Sequence, residues 1–143
     1  MKEKTLYMLS YVSTACDCLK YESIQAILES STKNNKNRAV TGILVYCNKH
    51  FFQILEGEKE HIDSLFEEIN IDSRHDGIIK IEEKPIQKRM FENWHMAFKS
   101  YNCELKKLDN FKMEEFYSYI NAKLQEEKTI SLQILLEFFD LNG

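Results

Sequence analysis

Proline occurs once and glycine four times in these 143 residues. With so few chain breakers there is no Ser/Gly/Pro-rich linker, and no repeat or low-complexity tract marks a boundary. Cysteine is scarce and wrongly spaced for metal or redox motifs. Cys16 and Cys18 are one residue apart rather than C-x-x-C, and Cys47 and Cys103 stand alone. His50, His61, His75 and His95 form no H-E-x-x-H or Cys/His pattern, so the expectation is reduced thiols and no metal. No apolar run reaches the roughly 18 residues of a membrane span. The start, "MKEKTLYMLSYVS", puts Tyr11 and Ser13 where a signal peptide needs an apolar stretch, so it reads as a first strand in a cytoplasmic protein. Net charge is −4 and Lys and Arg are not clustered, which argues against a nucleic-acid surface.

What is present is ordinary globular composition: 43% hydrophobic, 29% charged and a generous 12% aromatic. That is enough for one domain with a real core. Residues 5–13 alternate as a strand. Ile24, Ile27, Leu28 and Ser31 repeat at helical spacing over 22–33. "TKNNKNRAV" reads as a polar loop. Residues 41–47 and 50–56 form a hairpin across Asn48-Lys49, and Gly57 ends its second strand. Ile62, Leu65, Phe66 and Ile69 mark a helix over 59–70. Residues 78–84 alternate as a strand that stops at Pro85. Residues 93–99 form a fifth strand, with Trp94, Met96 and Phe98 on one face.

The order β-α-β-β-α-β-β predicts an α+β, ferredoxin-like five-stranded sheet with two helices on one face. Two further helical stripes follow, Met113 to Leu124 and 130–139, and we expect them to cover the other face. The division expected is a domain over 1–100 and a helical extension over 101–143.

One stretch resists a purely structural account. In "HFFQILEGE" a run fit for burial on both faces is interrupted by Gln53. A buried amide without partners costs roughly 1–3 kcal/mol. Other polar or distinctive residues fall on elements that should pack near it: Tyr11 on strand one, Asn34 and Asn35 closing the first helix, Arg74 and His75 after the second, Trp94 and Met96 on strand five. Taken singly, each has an ordinary role in core packing or helix capping.

Taken together, "SYVS", "NNKNRAVTGILVY", "FFQILEGE", "IDSRH" and "KRMFENWHM" resemble, in order and spacing, the BLUF domain, a flavin-binding blue-light sensor. The resemblance covers about residues 4–100. It implies a flavin ring lying between the two helices, held by Asn35 with Asn34, Gln53, Arg74 and His75 and walled by Ile24, Ile27 and Phe51. FAD is the implied cofactor, with FMN and riboflavin open. It further implies a photoactive set of Tyr11, Gln53, Trp94 and Met96. In that scheme light drives proton-coupled electron transfer from Tyr11 by way of Gln53, rearranges hydrogen bonds at flavin O4 and N5, and red-shifts the absorption. No substrate is turned over. The signal leaves through strand five and the C-terminal helices toward a partner protein. Glu68 departs from the family pattern, which places a basic residue or His near flavin O2 in some relatives. Glu68 then faces solvent and Arg74 takes that contact.

The 43 residues after Ser100 are too few for a cyclase, a phosphodiesterase or a DNA-binding helix. The expected output is therefore light-dependent affinity for a downstream protein, with neither nucleic acid nor membrane as partner. The stripe Ile130, Leu132, Leu135, Leu136, Phe138 and Phe139 either docks on the sheet or serves self-association or a partner site. A flavin-free interaction scaffold or small-molecule-binding module is the alternative. A phosphatase of acylphosphatase type is excluded because the loop 13–21 has neither Arg nor Gly.

Overall fold

Alternation and turn chemistry build the sheet that the rest of the molecule packs on. The structure, a computed structural model of the chain, describes residues 5–16, 20–92, 94–100, 121–122 and 129–142. The elements in order are β1 (Leu6–Ala15), α1 (Tyr21–Asn37), β2 (Thr41–Cys47), β3 (His50–Glu58), α2 (Lys59–Asn70), β4 (His75–Ile86), β5 (Ala97–Ser100) and α3 (Ile130–Asn142). The strands order as β4-β1-β3-β2-β5. All neighbours are antiparallel except β2 and β5, which run parallel. Asn48 and Lys49 both take positive φ, at 50° and 66°, as a two-residue turn between twisted strands requires. At Gly42 a Cβ would lie 2.0 Å from the Ile54 carbonyl oxygen, so only glycine allows β2 to sit this close to β3.

The sheet separates two cores. On one face, Leu9, Tyr11, Leu44, Phe51, Leu55 and Phe98 pack with Ile24 of α1 and Ile62 and Leu65 of α2. On the other, Met8, Ile43, Val45, Phe52 and Ile54 pack with Leu132, Leu135 and Leu136 of α3. The expected five-stranded α+β sheet is thus present, with two helices on one face and C-terminal cover on the other. No helix among the described residues is long and apolar enough to cross a membrane.

Several boundaries differ from the sequence reading. Helix α1 runs to Asn37, so Asn34 and Asn35 belong to its last turns and not to a loop. Strand β3 passes through Gly57. Strand β4 starts at His75 and passes through Pro85; it is an edge strand, where a residue without an N–H is tolerated. Strand β5 is only Ala97–Ser100. Trp94 and Met96 precede it on bent chain, so they lose the period-two relation and turn to opposite cores. Cys16, expected as a reduced thiol, is disulfide-bonded, whereas Cys47 is a buried cysteine outside any disulfide. Motif spacing says nothing about disulfide pairing. The Met113–Leu124 stripe and the side chains of Phe138 and Phe139 lie outside the described residues.

Candidate functional site

The register of the central strands sets the site. Gln53 on β3 stands directly opposite Tyr11 on β1 and Leu44 on β2, so all three side chains share the face toward α1 and α2. The Tyr11 hydroxyl donates to Gln53 Oε1. Gln53 Nε2 donates to the Met96 thioether sulfur at 3.6 Å. Gln53 is 4% exposed and Tyr11 3%. The buried amide therefore has a strong partner on one side and a weak, polarizable one on the other. Burial, with the Asp72 carboxylate adding to it, pushes the Tyr11 phenol far above its ordinary value. Tyr11 is therefore a neutral phenol at ordinary pH.

Around this pair lies a cleft enclosing about 520 Å³ of empty space, part of it open to solvent. Its α1 wall is Ile27, Ser31 and Asn35, its α2 wall Leu65 and Ile69, its floor Leu44, Phe51, Tyr11 and Gln53, and its rim Asp72, Arg74 and His75. Asn35 falls eleven residues after Ile24, on the buried face of a helix extended far enough to present it. Its Nδ2 donates to the His95 carbonyl at 2.6 Å, while its buried Oδ1 has no partner among the described residues. An orphaned buried acceptor in a cleft wall is matched by a ligand N–H.

At the rim, His75 Nε2 donates to the Ile69 carbonyl at 2.8 Å, so Nδ1 accepts from the Ser13 hydroxyl at 2.7 Å. The Arg74 guanidinium grips Asp72 through Nε at 2.9 Å and Nη2 at 2.5 Å. This hydrogen bonding holds the Asp72 carboxyl below its usual range. The Arg74 fork is thus already engaged. Glu68 does not face the cleft: it pairs with Arg38 at 2.7 and 3.0 Å, joining α2 to α1.

The segment leading to Met96 is pinned along its length. Glu56, 0% exposed, accepts the N–H groups of Met90 and Phe91 at 2.7 and 2.9 Å and the Thr41 hydroxyl at 3.1 Å. Burial raises its carboxyl above the ordinary value, and these donors together with Arg89 partly offset the rise. Further along, Gly42 N–H donates to the Trp94 carbonyl at 3.1 Å.

The structure therefore brings together Tyr11, Gln53, Met96, Asn35, Ile27, Phe51, Arg74 and His75. It does not bring three others to the cleft. Ile24 is buried beneath α1. The Asn34 carbonyl serves the helix end, accepting from Arg38 N–H. Trp94 packs against the far core with α3. Sequence reasoning missed Ser31, Leu44, Leu65, Ile69 and Asp72 as lining. The first four lay on stripes already legible as helix or strand faces.

A profile of the BLUF family, described as sensors of blue-light using FAD, matches residues 6–97. The chain belongs to the BLUF family. BLUF domains are blue-light flavin sensors. Photoactivated adenylate cyclase subunit alpha of Euglena gracilis is 35% identical over 96 residues, 66% of this chain and 9% of that protein. The chain spans about a tenth of the length of such cyclase subunits. A bacterial light-regulated adenylyl cyclase superposes with TM-score 0.67 at 31% identity, covering 95% of this chain and 33% of that one. The BLUF protein BlrB, in its dark state, gives TM-score 0.67 at 28% identity, covering 85% and 96% of the two chains.

The residues present fit a flavin. Ile27, Leu44, Phe51, Leu65 and Ile69 give the cleft the apolar contact that a flat aromatic ring needs, beside a few polar groups that can orient it. The Asn35 Oδ1 acceptor suits an imide N–H, and the Gln53 amide presents a donor and an acceptor on the floor.

Proposed function

We propose that this BLUF chain is a blue-light switch in which Tyr11 and Gln53 are the moving parts and no substrate is consumed. Bound flavin supplies light absorption and a ring that accepts an electron and returns it. Asn35 holds it at the α1 wall, with Ile27, Phe51, Leu65 and Ile69 excluding water. The family description favours FAD; Arg74, engaged by Asp72, gives little discrimination among FAD, FMN and riboflavin at the rim.

The hydrogen bond from Tyr11 to Gln53 Oε1 is the single observation that carries this reading. Because the phenol resists ionisation, Tyr11 would give up an electron and its proton together, and Gln53 Oε1 is placed to take that proton while Nε2 releases one, the bound flavin being the acceptor of the electron and of the Nε2 proton. Gln53 then passes to a neutral imidic acid whose O–H and N exchange donor and acceptor roles. Simple rotation sets Oε1 against the Met96 sulfur, two acceptors face to face; in the imidic form that oxygen carries a hydrogen and donates to the sulfur instead. Met96 thus favours the rearranged tautomer, and no net charge is buried. Output passes from the Met96 segment and the C-terminal helix to a downstream protein whose affinity changes with light.

Tyr11→Phe is the test. Phe keeps the packing against Phe66 and removes the proton. The variant should purify yellow and show no reversible red shift after blue light. An intact photocycle would assign the electron donor elsewhere.

A further inference from the structure

Tyr11 and its neighbour Ser10 point to opposite faces of β1. Tyr11 enters the flavin cleft; Ser10, 0% exposed, enters the core beneath α3. There the Ser10 hydroxyl lies 2.7 Å from Ser131 Oγ of α3. Ser131 donates to Glu82 Oε1 through Oγ at 2.5 Å and through its backbone N–H at 3.2 Å. With its own hydrogen committed to the carboxylate, Ser131 Oγ accepts from Ser10. Glu82 stands directly opposite Ser10 across β1 and β4, and its other oxygen faces Lys84 Nζ at 3.5 Å. The first turn of α3 is thus tied to the sheet by three side chains in an otherwise apolar interface of Leu132, Leu135, Leu136, Met8 and Phe52.

We infer that Ser10, Glu82 and Ser131 are a latch through which the light signal passes from β1 to the C-terminal helix. This rests on the switch reading of Tyr11 and Gln53, and it adds a route other than strand five. Two observations carry it. Apolar side chains would dock α3 more simply: a polar trio of two buried serines and a partly buried Glu82 returns little net stability, since each group trades water for protein, yet leaves unpaired groups if the register shifts. Such a trio specifies the docked position while keeping docking reversible, as an element biased between two states requires. Second, the β1–β4 register breaks between Ser10 and Tyr11: Ser10 pairs with Glu82 and Tyr11 with Lys80, leaving Ile81 extra. A bulge is where a ladder yields. When Gln53 rearranges and the Tyr11 hydroxyl changes partner, the displacement of β1 is taken up here, and the Ser10–Glu82 spacing that seats Ser131 changes.

The experiment is hydrogen–deuterium exchange of the flavin-loaded chain in the dark and under blue light, with absorption followed on the same samples. In the wild type, amides 132–137 should exchange roughly tenfold faster in light, the worth of one charge-assisted hydrogen bond. The Ser10→Ala/Ser131→Ala double variant should keep the red shift and the fold, and its 132–137 exchange should not respond to light. A normal red shift with light-independent exchange in the wild type overturns the latch and leaves the switch standing. A light response undiminished in the double variant also overturns it. A wild type with no red shift at all removes the switch and the latch with it.

Discussion

Replacing Asn35 by alanine separates a cofactor contact from a structural one, because the two halves of its amide act in opposite directions. Nδ2 donates to the His95 carbonyl, and losing that bond costs the fold about 1 kcal/mol. Oδ1 is buried with no partner among the described residues, and removing it relieves about 1–3 kcal/mol. The cleft is partly open, so water fills the vacated volume. Without flavin, Asn35→Ala should therefore hold its stability or gain up to about 2 kcal/mol, a Tm change of a few degrees upward. With flavin the sign reverses: the acceptor is lost, and about 1–3 kcal/mol corresponds to roughly 5–150-fold weaker binding. Titrating riboflavin with apoprotein and following fluorescence quenching measures the affinity; a thermal melt of the apoprotein measures the other arm. Affinity within twofold of wild type, or an apoprotein several degrees less stable, would refute the reasoning, because Oδ1 would then not be the ligand's acceptor.

Gln53→Leu should bind flavin and show no red shift, while leaving the buried Tyr11 hydroxyl without an acceptor at a cost of about 1–2 kcal/mol in urea unfolding; a normal shift would displace Gln53 from the switch. Glu56 has a raised carboxyl. The stability it contributes is fully present below its unfolded value of 4.5 and lost as pH rises through the folded value. The stability of wild type relative to Glu56→Gln should therefore grow as pH falls from neutral toward 4.5; a flat difference would contradict the burial argument. Asp72 is the reverse case. Its carboxyl is depressed by Arg74, so its contribution is present above 3.8 and lost as pH falls through the folded value. Asp72→Asn should flatten the acid limb of the stability curve below that pH, and an unchanged limb would mean that solvent screens the pair.

The fold was largely legible because its signals are periodic. Helix α2 was bounded correctly at 59–70, and the hairpin at Asn48-Lys49 announced its own turn. Errors fell where tertiary context overrides local chemistry. Asn34 and Asn35 look like loop formers, yet packing on the sheet carries α1 through them. Pro85 looks like a stop, but an edge strand tolerates it. Trp94, Met96 and Phe98 alternate on paper, whereas the strand begins only at Ala97. That one misreading sent Trp94 to the wrong core. Gln53 stood out because a polar residue in an apolar run demands a partner; Tyr11 as that partner was implied only by the family resemblance, since the register that sets the two opposite each other is stated by no local pattern. Ser10 and Ser131 gave no sequence signal, since their contact spans 121 positions.

The most direct measurement of the central claim is the absorption spectrum of the flavin-loaded protein in darkness, after blue light, and again in darkness. A band that shifts red and returns, with the flavin still oxidised, is the predicted result. A flavin that bleaches or does not shift, or a protein that takes up none, would contradict the account of Tyr11 and Gln53 as a hydrogen-bond switch.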